Sequence, residues 1–224
     1  MSLSAPVRKP LVGHLDRWGL EPLELLEEGA RKGDHFELQL WRRAVVGYRP
    51  EWNRQVLGDL GTFRSRGSLS AMTPYLNGGV VMTDAPEHRP RRAELNPHTH
   101  ARALGSLAEG LAQVVEERLP RGRFDALEWS LGLVPALLNR LFFADAFPQP
   151  LLERFLAPLH RPLPGPLLPR PLLFRRVTAE IERQLRNPRP GAVVGHLGGI
   201  EKATEEVRAA LAAGFATTWR TPPW

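Results

Sequence analysis

The 224-residue chain contains no cysteine. That absence excludes disulfides, zinc ribbons, iron–sulfur clusters, thiol nucleophiles and any metal centre ligated by a thiolate of this chain. Lysine is scarce as well. Only Lys9, Lys32 and Lys202 count among the 30 basic residues, so the formal charge of +6 over 24 acidic residues is carried by arginine. No run approaches the roughly 18 apolar residues of a membrane span. The opening MSLSAPVRKPLVGHL lacks the apolar core and small-residue cleavage site of a signal peptide, which makes a cytoplasmic location the default expectation. There is no internal repeat and no heptad pattern. What remains is a globular composition, 42% hydrophobic and 24% charged, which is neither disordered nor membrane-like.

Proline is plentiful, 22 residues or roughly twice ordinary usage, and its clusters mark the seams of the chain. Pro22 to Lys32 predicts a short helix with Leu23, Leu25 and Leu26 inward. From His35 the period changes to two: Phe36, Leu38 and Leu40 alternate with Glu37 and Gln39, and Ala44, Val45, Val46 and Tyr48 follow a short polar break. That pattern predicts a β-hairpin. Pro50 opens a second helix through Leu60, whereas residues 61–85 read as an ordered loop punctuated by glycine and proline. Asp84-Ala85-Pro86-Glu87 has the residue types of a helix start, and Pro97 would end or kink that helix. Further helical spacing covers Leu104 to Leu119, Asp125 to Phe143 with a kink at Pro135, Phe174 to the residues before Pro188, and Gly199 or Ile200 to Thr218. Six of the fourteen residues from Pro158 to Pro171 are proline, so no helix is expected there. The expected fold is mainly α with a small β-hairpin sheet, in a single domain over residues 1–224.

Four features carry chemistry or its bland alternative. His88 and Arg92 are four residues apart and project from one helix face, a fork of donors suited to a carboxylate or phosphate, or else a solvated basic helix end. Ala213-Gly214-Phe215-Ala216-Thr217-Thr218 places a glycine inside a helix at a cost of about 1 kcal/mol. A flat ligand could approach the backbone there, and close helix packing is the competing explanation. The threonines can bond back to carbonyls one turn earlier. His98 and His100 lack the third and fourth ligands a metal site needs and read as surface histidines. The arginines are spread along the chain without aromatic interleaving, so the basic charge reads as a solvated surface rather than a nucleic-acid site.

Taken in order, these stretches resemble the N-terminal half of a soluble bacterial cytochrome P-450. The resemblance begins at Pro10-Leu11-Val12-Gly13-His14-Leu15 and continues through the hairpin, the helix opened by Pro50-Glu51, and Phe63-Arg64-Ser65-Arg66-Gly67. Asp84-Ala85-Pro86-Glu87-His88, Arg91-Arg92, Leu95-Asn96-Pro97 and Ala103-Leu104 resemble the family's C helix, and AGFATT resembles the oxygen-binding stretch of its I helix. The resemblance implies heme as cofactor, with His88 and Arg92 donating to its propionates. It implies that Ala213 and Gly214 form the groove for dioxygen and that Thr217 is the threonine that helps deliver protons. The loop at 68–83 would wall a substrate pocket, and the proline-rich stretch would cover it. A small apolar substrate and a ferredoxin or flavoprotein reductase would be the partners, with neither nucleic acid nor membrane.

Two departures accompany the resemblance. Ala216 stands where the family usually places an acid before the threonine, which weakens the proton relay. The family's Glu-x-x-Arg helix, its aromatic-Arg segment and its cysteine loop have no counterpart here, so the axial cysteine is absent and no metal ligand is assigned. The expectation is a truncated monooxygenase domain, an oxidoreductase by family but inactive alone. A non-catalytic relic acting as a binding module, with uncovered apolar faces that favour association, is the alternative. A basic helical nucleic-acid binder is a more distant one.

Overall fold

The computed structural model describes residues 4–40, 42–59, 61–65, 73–161 and 168–218. These residues form two compact units, with the division after Arg64. The first holds α1 (Leu15–Leu20), α2 (Pro22–Ala30), β1 (His35–Gln39), β2 (Arg43–Gly47) and α3 (Pro50–Gly58). Proline stands at the first turn of both α2 and α3, where its missing N–H has no intrahelical acceptor to lose. β1 and β2 pair antiparallel, with His35 opposite Gly47 and Gln39 opposite Arg43. The alternation read in β1 is the burial pattern: Phe36 and Leu38 point inward, and with Leu25 of α2 they form the small core of this unit. Gly29 lets α2 lie flat on the Phe36 ring, because a Cβ there would fall 2.3 Å from it.

The second unit contains α4 (Thr73–Leu76), α5 (His88–Thr99), α6 (Ala101–Leu104), α7 (Ala108–Glu117), α8 (Ala126–Phe143), α9 (Gln149–Leu156), α10 (Pro171–Arg186) and α11 (Ala203–Thr218). Its core gathers Val134, Leu138 and Phe143 of α8, Leu152 and Phe155 of α9, Val177 and Ile181 of α10, and Val207, Leu211 and Phe215 of α11. The mainly helical architecture with one small hairpin is the fold class that the sequence predicts. No helix among the described residues is long and apolar enough to cross a membrane.

Several boundaries differ from the sequence reading for local reasons. α5 begins at His88, four residues after Asp84, so that Pro90 falls within its first turn. The helix then runs two residues beyond Pro97 to Thr99, whose Oγ1 donates to Leu95 O (3.0 Å). α8 is one continuous helix through the buried Pro135, and Asp125 caps its start by accepting from the N–H groups of Leu127 (2.8 Å) and Glu128 (3.0 Å). The single helix expected over Leu104–Leu119 is divided by a 3₁₀ turn at Gly105–Leu107. α9 lies in a stretch for which no element was expected. Leu60, the Arg66–Gly67 end of the FRSRG phrase, residues 68–72 of the expected pocket wall and residues 162–167 of the proline-rich stretch lie outside the described residues.

Candidate functional site

α5 carries two neighbouring stripes. Arg91 and Leu95 form the buried one, at 7% and 6% exposure. His88 and Arg92 form the other, His88 half-buried and Arg92 exposed. Residues four apart on a helix stand one above the other, so the imidazole and guanidinium of that second stripe are neighbours. Neither side chain has a hydrogen bond or ion pair among the described residues. Two cationic or dipolar donors on one helix face with no protein acceptor suit an external anion, above all a planar carboxylate.

The buried stripe is bound to α11. Arg91 Nη2 donates to Glu206 Oε1 and to the Gly78 carbonyl (2.6 Å), while Nη1 donates to Thr83 Oγ1 (2.7 Å). The other carboxylate oxygen of Glu206 accepts from the Val80 N–H (2.9 Å). Arg91 and Glu206 are almost fully buried, at 7% and 5% exposure, and only Arg91 Nε has no partner among their polar side-chain atoms. One ion pair thus ties α5, α11 and the 78–83 segment together. Sequence reasoning named Arg91 only within the resemblance, with no role, and passed over Glu206, although the signal was available: Glu206 interrupts a stripe of small residues, Ala203, Ala210 and Ala213, that ends at Thr217.

On α11, Ala213 and Gly214 are half-buried and Thr217 is exposed. A Cβ on Gly214 would lie 3.1 Å from Leu138 Cδ2 of α8, so part of this glycine's role is close helix packing. Thr217 Oγ1 donates to Ala213 O at 2.8 Å, the back-bond expected of a threonine inside a helix. No hydrogen bond among those described joins His88 or Arg92 to Ala213, Gly214 or Thr217. The link between the two groups runs through Arg91 and Glu206.

His98 and His100 part company. The His100 Nδ1 accepts from Ala103 N (2.9 Å) and caps α6, while the His98 ring lies parallel to that of His196, centroids 5.7 Å apart. Among the described residues no group of three or more histidine, cysteine or acidic side chains is arranged to hold a metal ion. Burial lowers the pKa of His160, whose ring meets Phe215 edge-on, and it raises that of the Tyr75 hydroxyl near Arg170.

No family model matches the chain. Cyclooctatin synthase of Streptomyces melanosporofaciens is 28% identical to it over 156 residues, which are 66% of this chain and 34% of that protein. Among solved structures, cytochrome P-450 TxtC superposes on 91% of the chain with a TM-score of 0.66 at 21% identity. The heme domain of a cytochrome P-450DA variant superposes on 98% of it with a TM-score of 0.69 at 18% identity. This is part of a cytochrome P-450 fold. The chain spans 58% of the length of each of those two cytochrome P-450 structures, and its match covers about a third of cyclooctatin synthase.

Proposed function

We propose that this chain is the part of a heme-thiolate monooxygenase that grips the heme edge and lines the oxygen side of its pocket. The observation that carries the proposal is the open donor pair on α5. Heme carries two carboxylates on one edge, and His88 and Arg92 are donors one turn apart with no partner among the described residues. The donor set fits the group. When bound and ligated by a thiolate, heme supplies activation of dioxygen for insertion into an apolar small molecule. That thiolate is not among these 224 residues, since none is cysteine.

The chain's own residues act by binding and by holding a proton. Arg92 offers a fork of N–H donors to one carboxylate, and the His88 ring nitrogen donates to its neighbour. Ala213 and Gly214 keep α11 free of side-chain bulk beside the ligand. Thr217 Oγ1 donates to Ala213 O, so it serves a relay by turning that proton from the carbonyl to the ligand side and taking up another from water or substrate in its place. Ala216 contributes no carboxylate to that relay, which leaves water or substrate to complete it. A ferredoxin or flavoprotein reductase and a small apolar substrate complete the reading.

Titration of the purified chain with hemin tests it, followed by Soret absorbance. A saturable Soret band is expected, weakened at least about tenfold when both donors are removed by His88→Ala and Arg92→Ala. Uptake no greater than that of an unrelated basic protein, or insensitive to the two substitutions, would overturn the proposal. The reduced, CO-bound spectrum of the complex should lack the long-wavelength thiolate band.

A further inference from the structure

The Arg91–Glu206 pair lies between the two halves of the candidate site without belonging to either. On α5, Arg91 is flanked in sequence by the stripe that carries His88 and Arg92. On α11, Glu206, Ala213 and Thr217 are spaced by seven and eleven residues, so they share one face of the helix. At the helical rise, Ala213 and Thr217 lie about 10 and 16 Å beyond Glu206 along that face. Rotation of either helix at the ion pair therefore moves its own site residues in a fixed sense.

We propose that Arg91 and Glu206 are positioning residues, a strut that sets the rotation of α5 against α11 and so aims His88 and Arg92 at the edge of a ligand lying along the Ala213–Thr217 face. The chemistry favours such a role over simple stabilisation. A buried ion pair can usually be replaced by apolar residues of like volume with little loss of stability, but its bonds are directional. Here the directions are fully specified: Glu206 bonds one oxygen to Arg91 and the other to the Val80 N–H, and Arg91 spreads over Glu206, Thr83 and Gly78. An apolar pair would fill the space without fixing the angle.

The absence of native cysteine makes the test clean. Nitroxides placed at Glu94→Cys on the exposed side of α5 and at Thr218→Cys at the end of α11 report the arrangement by pulsed electron resonance. The parent should give one narrow distance distribution. The double variant Arg91→Met, Glu206→Met should keep a cooperative melt but broaden or shift that distribution, and Glu206→Gln, which keeps shape and loses charge, should do so in smaller measure. Unchanged distributions in the folded variants would overturn the strut, and Glu206→Gln alone decides the matter if the double variant does not fold.

A second arm rests on the heme reading above. The parent should bind hemin at least about tenfold more tightly than hemin dimethyl ester, whose carboxylates are masked, and the strut variants should lose most of that preference. Equal affinity of the parent for both porphyrins would overturn the propionate reading and leave the strut to stand on the distances. A full preference retained in variants with altered distances would overturn the aiming role instead.

Discussion

Gly79 and Ala209 lie so close that a Cβ added at position 79 would fall 2.5 Å from the Cβ of Ala209, with Leu76 O only 3.2 Å away. The 78–83 segment rests flush on α11 at this point, one turn along from Glu206. Neither neighbour is the far end of a flexible side chain. Gly79→Ala is therefore expected to destabilise the fold by about 1–3 kcal/mol, as overpacking does. Thermal melting of the variant measures it. Gly132→Ala makes the matched control, since a Cβ in that position of α8 meets nothing within 4 Å and gains helix propensity. A fall in melting temperature for Gly79→Ala and none for Gly132→Ala is the expected pair of results.

Gly214 stands differently. Its absent Cβ faces Leu138 Cδ2 at 3.1 Å, which is tight but is the tip of a side chain that can turn aside. The helix interior gains about 1 kcal/mol when glycine becomes alanine. Gly214→Ala should thus leave the melting temperature within a degree or two of the parent, because the two effects offset. Hemin affinity should fall, since the Leu138 tip that the new methyl turns aside takes up space beside Gly214. A large loss of stability with unchanged hemin binding would assign this glycine to helix packing alone.

The contrast between these glycines shows what could be read in advance. The AGFATT stretch stood out because glycine and paired threonines are poor choices for a helix interior, a local signal with a local cost. The hairpin was legible for the same reason, since Phe36 and Leu38 alternate with polar neighbours and are the residues buried. α8 was legible from the spacing of its apolar residues from Asp125 onward, and the cap that the Asp125 side chain supplies came from the structure. α9 was missed because its eight residues stand among Pro148, Pro150 and Pro158, although Leu152, Phe155 and Leu156 have helical spacing. The Arg91–Glu206 pair spans 115 residues, and no local pattern states which buried acid an arginine will meet. The donor face of α5 was read as a spacing of four residues, which α5 places on one helix. That His88 and Arg92 have no side-chain partner among the described residues needed the packed structure.

His14 is another residue whose role is long-range. It is 1% exposed, accepts the Gln39 N–H at Nδ1 (2.8 Å) and has Nε2 3.1 Å from the Pro6 carbonyl. Because Nδ1 accepts, the proton belongs on Nε2, which donates to Pro6 O. His14→Phe fills the space but leaves a buried N–H and a carbonyl without partners, at a cost of about 1–3 kcal/mol. Hydrogen exchange at the Gln39 amide should accelerate by tenfold or more, roughly the rate equivalent of 1.4 kcal/mol if opening is local. An unchanged Gln39 exchange rate in a folded variant would show that the histidine bond protects nothing.

Acid should loosen the first unit through Glu28. Its carboxylate accepts from Arg17 Nη1 (2.6 Å) and from the Val7 N–H (2.8 Å), with Lys32 close by. The Arg17 hydrogen bond first, then that of Val7, brings its pKa down from 4.5 to about 2. A carboxylate whose pKa is lower folded than unfolded stabilises the fold fully above the unfolded value, and the contribution disappears as pH falls through the folded one. The window is therefore pH 4.5 down to about 2. Following the Val7 amide by NMR across that range should show its hydrogen bond released near the lower end. Urea unfolding should become easier through the same window in the parent, and Glu28→Gln should flatten that part of the pH dependence while lowering stability at neutral pH. Added salt should shrink the effect only in part, because the Arg17 and Glu28 side chains are about three-quarters covered, at 23% and 22% exposure. A Glu28→Gln profile that parallels the parent from pH 5 to pH 2 would place the acid sensitivity on other carboxylates of the chain.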